Sequence, residues 1–241
     1  MQKYLFDTEI GADYIKWVEF LEKHNINLHS TKISKEQIAS LENAILLAKD
    51  PILAYFFCID FNYNLHKMQK IILECKNPKY IYLFAQNISN ADIKALQSAI
   101  IYSQNIKYIC KFACNVPNSN LKLLEKIVFE SKNIQYIHTL LKHTKKYNTN
   151  KYKNFIIESE NPRYLFELAK HISNSKEISY IEDLLIKSKS LLYIRLFAAK
   201  IKYSNIDKLE QAILESGNIK EIKKFAKSVK KSKLKNFLLV S

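Results

Sequence analysis

The chain has 241 residues, 48% of them hydrophobic, enough to bury a sizeable core, but only two are glycine and four proline. So little turn-forming material leaves few hairpins or phosphate-cradling loops, and with abundant Leu, Ile, Lys and Glu it points to an all-α protein. The formal net charge of +15 suggests a polyanion as partner, yet only Arg163 and Arg195 are arginine, the residue best suited to bidentate phosphate and base contacts.

Taken in chain order, residues 1–37 are expected to form a divergent N-terminal helical cap. The opening "MQKYLFDTEI" lacks the basic-then-apolar pattern of a secretory signal. The longest apolar run, "PILAYFFCI" at 51–59, is too short to span a bilayer. The expected location is therefore intracellular, in the cytoplasm. Cys58, Cys75, Cys110 and Cys114 form no paired motif and are expected as reduced thiols. Within the cap, "DYIKWVEFLEKHNI" (13–26) places Tyr14, Ile15, Trp17 and Val18 in a faint version of a pattern that recurs downstream.

From residue 38 to 233 the same phrase is written seven times. "ECKNPKYIYLFAQNIS" (74–89), "YSQNIKYICKFACNVP" (102–117), "ESENPRYLFELAKHIS" (158–173) and "ESGNIKEIKKFAKSVK" (215–230) are four of its copies. Asp50, Asn77, Asn105, Asn133, Asn161, Ser190 and Asn218 hold one position, at spacings of 27, 28, 28, 28, 29 and 28 residues. Each is a preferred helix N-cap, and Pro follows at 51, 78 and 162, where its missing N–H costs nothing. A helix B is therefore expected to start near residues 78, 106, 134, 162, 191 and 219. Its apolar residues recur at i, i+3, i+4 and i+7, as in Ile81, Phe84, Ala85 and Ile88, then Ile109, Phe112, Ala113 and Val116.

Upstream of each helix B lies a helix A, as in "IKALQSAI" (93–100), "LKLLEKIV" (121–128) and "IDKLEQAI" (206–213), opening after Asn64, Asp92, Asn120 or Asn205. A small residue stands two places before each helix B cap: Ala48, Cys75, Ser103, Ser131, Ser159, Ser188 and Ser216. This is expected to let the two helices approach closely. Helices of this length are marginal alone in water, and stacking successive pairs would bury one continuous core. The expected architecture is an all-α solenoid of about seven two-helix repeats. In the first copy Ile52, Phe56 and Ile59 occupy positions that face outward elsewhere, so the N-terminal segment is expected to fold over them. "LKNFLLVS" (234–241) reads as a terminal half-repeat, a lone helix A closing the stack.

These copies resemble the α-solenoid repeat proteins, the class of HEAT, armadillo and tetratricopeptide arrays, over about residues 38–241. The 28-residue period is shorter than in those three families, and the tetratricopeptide Trp–Leu–Gly–Tyr signature is missing. The pattern is similar to short two-helix repeats written "LE-x-A-I … S-x-N … Y-I-x-x-F-A". The resemblance implies a fold and a binding-scaffold habit, and no chemistry.

No catalytic or metal-ligating set emerges from the spacing. Cys110 and Cys114 lie one helical turn apart, but no His falls near them in the repeat, and zinc needs three or four converging ligands. His24, His29, His66, His138, His143 and His171 fall in different columns. The expectation is a non-enzymatic protein with no cofactor. A tyrosine column (Tyr80, Tyr108, Tyr136, Tyr164, Tyr193) is expected to fill the joints between repeats, although an aromatic ladder also suits stacked bases.

Two surfaces on helix B are candidates for binding. Residues 121–241 carry 25 basic and 12 acidic side chains against 13 and 11 in residues 1–120. Lys107, Lys111, Lys142, Arg163, Lys170, Lys220, Lys224 and Lys227 stand opposite the core stripe, as a polyanion-binding stripe or as a solvated face. The second candidate breaks that stripe: the sixth copy, "SLLYIRLFAAKI" (190–201), puts Leu192, Leu196 and Ala199 where its neighbours carry charge. Exposed leucines there suggest a contact with a partner protein or with a second copy of the chain. The first expectation for function is thus a protein-binding scaffold; the alternative is a nucleic-acid-binding solenoid using the basic stripe.

Overall fold

The structure is a computed structural model that describes residues 10–28, 33–145 and 150–238. Among these residues it has fifteen α-helices and one 3₁₀ helix, and no strand. A first helix, α1 (Gly11–Lys23), precedes seven pairs. These are α2 (Lys35–Ala48) with α3 (Pro51–Phe61), α4 (Leu65–Glu74) with α5 (Pro78–Asn87), α6 (Ile93–Tyr102) with α7 (Ile106–Asn115), and α8 (Leu121–Glu130) with α9 (Ile134–Thr144). Then come α10 (Asn150–Glu158) with α11 (Pro162–Ala169), α12 (Ser175–Lys187) with α13 (Leu191–Lys200), and α14 (Ile206–Glu215) with α15 (Ile219–Ser228). All six expected helix B starts fall at the expected residues. The first pair begins at Lys35 rather than 38, because Ser34 and Gln37 close a reciprocal capping box there.

The chain divides into two compact units, 1–140 and 141–241. In each, the second helix of a pair packs on both helices of the next pair: α3 on α4 and α5, α5 on α6 and α7, α11 on α12 and α13, α13 on α14 and α15. This is sequential packing, consistent with a helical-repeat arrangement. The buried columns follow the expected stripe: Ile81, Phe84 and Ala85, then Ile109, Phe112 and Ala113, and in the second unit Ile194, Phe197 and Ala198, then Ile222, Phe225 and Ala226.

The turn inside five of the seven pairs explains the small residue two places before the cap, which is serine in all five. The Ser103 hydroxyl donates to Ile100 O (2.6 Å) and accepts from Asn105 N–H (3.3 Å). Ser131, Ser159, Ser188 and Ser216 repeat both bonds. Serine is therefore placed by its hydroxyl, which satisfies a terminal carbonyl and the next cap's amide, beyond any advantage of small size. Two expected caps differ. Asn64 turns left-handed (φ 44°) and gives its amide to Glu42 Oε2 (2.5 Å), while Ser190 makes no side-chain cap bond.

The N-terminal segment folds over the first pair as the apolar face of α3 requires. Trp17 and Phe56 are both fully buried. Tyr14 meets Phe56 edge-on at 5.3 Å, Trp17 stacks on it at 6.5 Å, and Trp17 Nε1 donates to Asp60 (2.7 Å). Asp13 ties α1 further to Lys79 and to the Tyr80 hydroxyl on α5. At the other end, Lys233–Leu238 is a 3₁₀ helix packed on α15, where the sequence suggested an α-helix; residues 239–241 lie outside those described.

Candidate functional site

Two rows of contacts fix how one pair sits on the next within each unit, and so fix which side chains share a face. The first joins helix B to helix B. The fifth residue after one cap meets the third after the next: Tyr55 with Tyr80 (5.9 Å between ring centroids), Tyr82 with Tyr108 (6.1 Å), and Phe166 with Tyr193 (6.1 Å). The Cys110 thiol, buried at the same position, donates to Tyr136 O (3.4 Å). At the last joint the aromatics give way to Arg195 and Glu221, 3.4 Å apart. Asn87 and Asn115 donate to the Tyr55 and Tyr82 hydroxyls (3.0 and 3.1 Å). Tyr80, Tyr108 and Tyr193 of the tyrosine column thus place their rings in the joints, as a polar-tipped aromatic prefers.

The second row, on helix A, was missed by sequence reasoning. Glu42, Gln69, Glu182 and Glu210 are buried at one repeat position. Gln69 accepts from Asp92 N–H (2.9 Å), Gln97 from Asn120 N–H (2.6 Å), Glu182 from Asn205 N–H (2.8 Å), and Glu210 from Lys233 N–H (3.0 Å). Each oxygen satisfies a backbone donor at the start of the next helix A or, for Glu210, of the terminal 3₁₀ helix. Lys153 holds the same position with reversed polarity, donating to Glu177 (2.7 Å). The signal was present in the Glu or Gln after Leu or Ile in "LENAI", "LQSAI", "IEDLL" and "LEQAI". Glu182 differs from its counterparts: its Oε1 is buried without a partner, and burial raises its carboxyl above the ordinary range.

These joints make the outward positions of successive B helices adjacent. In the first unit Lys107 is exposed and Lys111 half-buried. Their ammonium groups sit over aromatic rings, Lys107 over Tyr108 (5.1 Å) and Lys111 over both Tyr82 (5.6 Å) and Tyr108 (5.5 Å). In the second unit Lys142, Arg163, Lys170, Lys220, Lys224 and Lys227 are all exposed. Arg163 lies over Tyr164 (5.8 Å), Lys170 pairs with Glu167 (2.5 Å), and Lys224 pairs with Glu221 (2.6 Å). Part of the stripe is therefore already engaged within the chain.

The α13 residues also face outward, to different degrees. Leu192 is 47% exposed, Ala199 is exposed, and Leu196 is half-buried. Ala199 lines a cleft of about 220 Å³ whose other walls include Ile201, Val229, Lys202, Lys230 and Lys231.

The cysteines are free. Burial pushes Cys58 up to about 12, and Cys110 is raised by its hydrogen bond to Cys114 and by burial, while that bond lowers Cys114. Among the described residues no three His, Cys, Asp or Glu side chains gather as a metal site would need, and no helix is long and apolar enough to cross a membrane. No family model, curated protein sequence or solved structure matches the chain.

Proposed function

We propose that this protein is a non-enzymatic interaction scaffold, an α-solenoid that binds a protein partner on the outward face of its second helices. Support for the solenoid comes from the seven helix pairs, their 27–29-residue spacing and, within each unit, their packing on next neighbours. The observation that carries the binding role is Leu192, 47% exposed in a column where the pairs on either side of it carry Arg163 and Lys220. Exposed apolar side chains at charged positions are a recurrent mark of protein contact surfaces. Leu192→Lys with Leu196→Glu is expected to abolish nuclease-resistant capture of a partner from native lysate while the melting temperature falls by only a few degrees. A variant that captures as well as the parent protein would sink this reading.

A second reading, nucleic-acid binding, draws support from the exposed lysines of the second unit and from cations held over tyrosine rings. It predicts capture that nuclease removes and that weakens steeply with salt.

A further inference from the structure

We propose that the outward face of α13, with the lysine-rimmed cleft at its end, docks an acidic amphipathic segment of the partner; this rests on the scaffold reading above. Leu192, Leu196 and Ala199 lie at i, i+4 and i+7, one continuous stripe along the helix. The stripe ends at the cleft of about 220 Å³, where Ala199 meets Lys202, Lys230 and Lys231. The Arg195–Glu221 contact (3.4 Å) sets the register between α13 and α15, and so brings Lys220, Lys224 and Lys227 alongside the leucines.

This flank is positive and largely uncompensated. Residues 219–235 contain eight lysines and one carboxylate, Glu221. That carboxylate is already engaged by Arg195 and Lys224. Among the described residues, no carboxylate pairs with Lys220, Lys227, Lys230 or Lys231. On the opposite flank, the Phe166–Tyr193 contact sets α11 beside α13 and brings Arg163 near the stripe.

Each alternative occupant leaves part of this surface unanswered. A second copy in a two-fold contact would set lysine against lysine. A nucleic acid would answer the lysines and leave Leu192 without an apolar counterpart. A neutral apolar segment would do the reverse. An amphipathic helix with apolar anchors at i, i+3 or i+4 and i+7, and Asp or Glu between them, answers both. Electrostatic attraction would also speed its capture at low salt.

The test is selection from a displayed library of random peptides on the full chain, followed by affinity measurement on the enriched sequences. Enriched peptides are expected to interleave Asp or Glu with Leu, Ile or Phe at helical spacing. Leu192→Lys should weaken them at least tenfold, and so should Lys227→Gln with Lys230→Gln, with melting temperatures unchanged. An oligothymidylate of matched charge should not compete fully. If neutral or basic apolar peptides are enriched, the acidic partner is overturned and the scaffold reading stands. Acidic peptides whose affinity is indifferent to both variants overturn this site. If no peptide is enriched, both readings fall, and tight oligothymidylate binding would then favour nucleic acid.

Discussion

Between the two helices of every pair the chain passes through one residue with positive φ, and only once is that residue glycine. Lys49, Lys76, Gln104, Lys132, Glu160 and Lys189 hold φ between 46° and 54°, and Gly217 holds 65°. A side chain in this left-handed turn crowds its own carbonyl, at a cost of roughly 1–2 kcal/mol, which the serine bridge helps to offset in the pairs that carry one. Lys132→Gly is therefore expected to stabilise the protein by about 0.5–1 kcal/mol, the gain being trimmed by glycine's greater freedom when unfolded. Gly217→Ala should lose about 1 kcal/mol for the backbone alone, since its new Cβ would meet nothing within 4 Å. Urea midpoints of the two variants should move in opposite directions.

Glu182 makes a second residue-scale prediction. Its folded-state carboxyl is raised by burial, so the folded chain holds the proton more tightly than the unfolded chain. Stability from this group is greatest below the unfolded glutamate value, declines as pH rises through the raised folded value, and stays lower above it. Glu182→Gln keeps an acceptor for Asn205 N–H, as Gln69 and Gln97 do for their partners. It should be more stable than the parent at neutral pH and equal to it in acid. Glu182→Leu strands that amide and should cost about 1–3 kcal/mol. Parallel melts across pH would decide the matter; a Gln variant without a pH-dependent advantage would refute the buried-charge account.

At the scale of elements, cap chemistry and apolar cover act separately. Asn161 accepts from Arg163 N–H (3.1 Å), so Asn161→Ala should cost about 1 kcal/mol. Ser190 makes no side-chain cap bond, and Ser190→Ala should be close to neutral although it occupies the same repeat position. The contrast, read by thermal melts, tests the geometry rather than the residue type. The cover over α3 rests on α1: Trp17 is fully buried against Phe56. Trp17→Ala should cost about 3–5 kcal/mol and expose the apolar face of α3, so aggregation is expected to accompany unfolding.

For the whole molecule, the question is what the net charge of +15 does. Lys220→Glu, Lys224→Glu and Lys227→Glu together should cut heparin or oligonucleotide binding in 50 mM salt while leaving the helical circular dichroism intact. If each lysine meets a phosphate of duplex DNA, the slope of log affinity against log salt should fall by about 0.9 per contact. Equal binding by parent and variant would exclude this part of the stripe.

The sequence by itself determined the helical class, the seven helix B starts and the buried stripe, because N-capping and the 3.6-residue period are local properties of the chain. The N-terminal cover was also legible, since Phe56 was apolar on a face that had to be hidden. Tertiary structure decided the rest. The serines' double bonds, the left-handed lysines and the Glu/Gln row depend on backbone groups that become neighbours only after the chain turns. The 3₁₀ end replaces an expected α-helix, in a segment too short for local propensity to decide its geometry. Exposure was the least legible property. Leu192 and Leu196 occupy outward positions of the same repeat column pattern, yet one is 47% exposed and the other half-buried. A helical wheel gives the direction of a side chain, but neighbouring helices decide how much water reaches it.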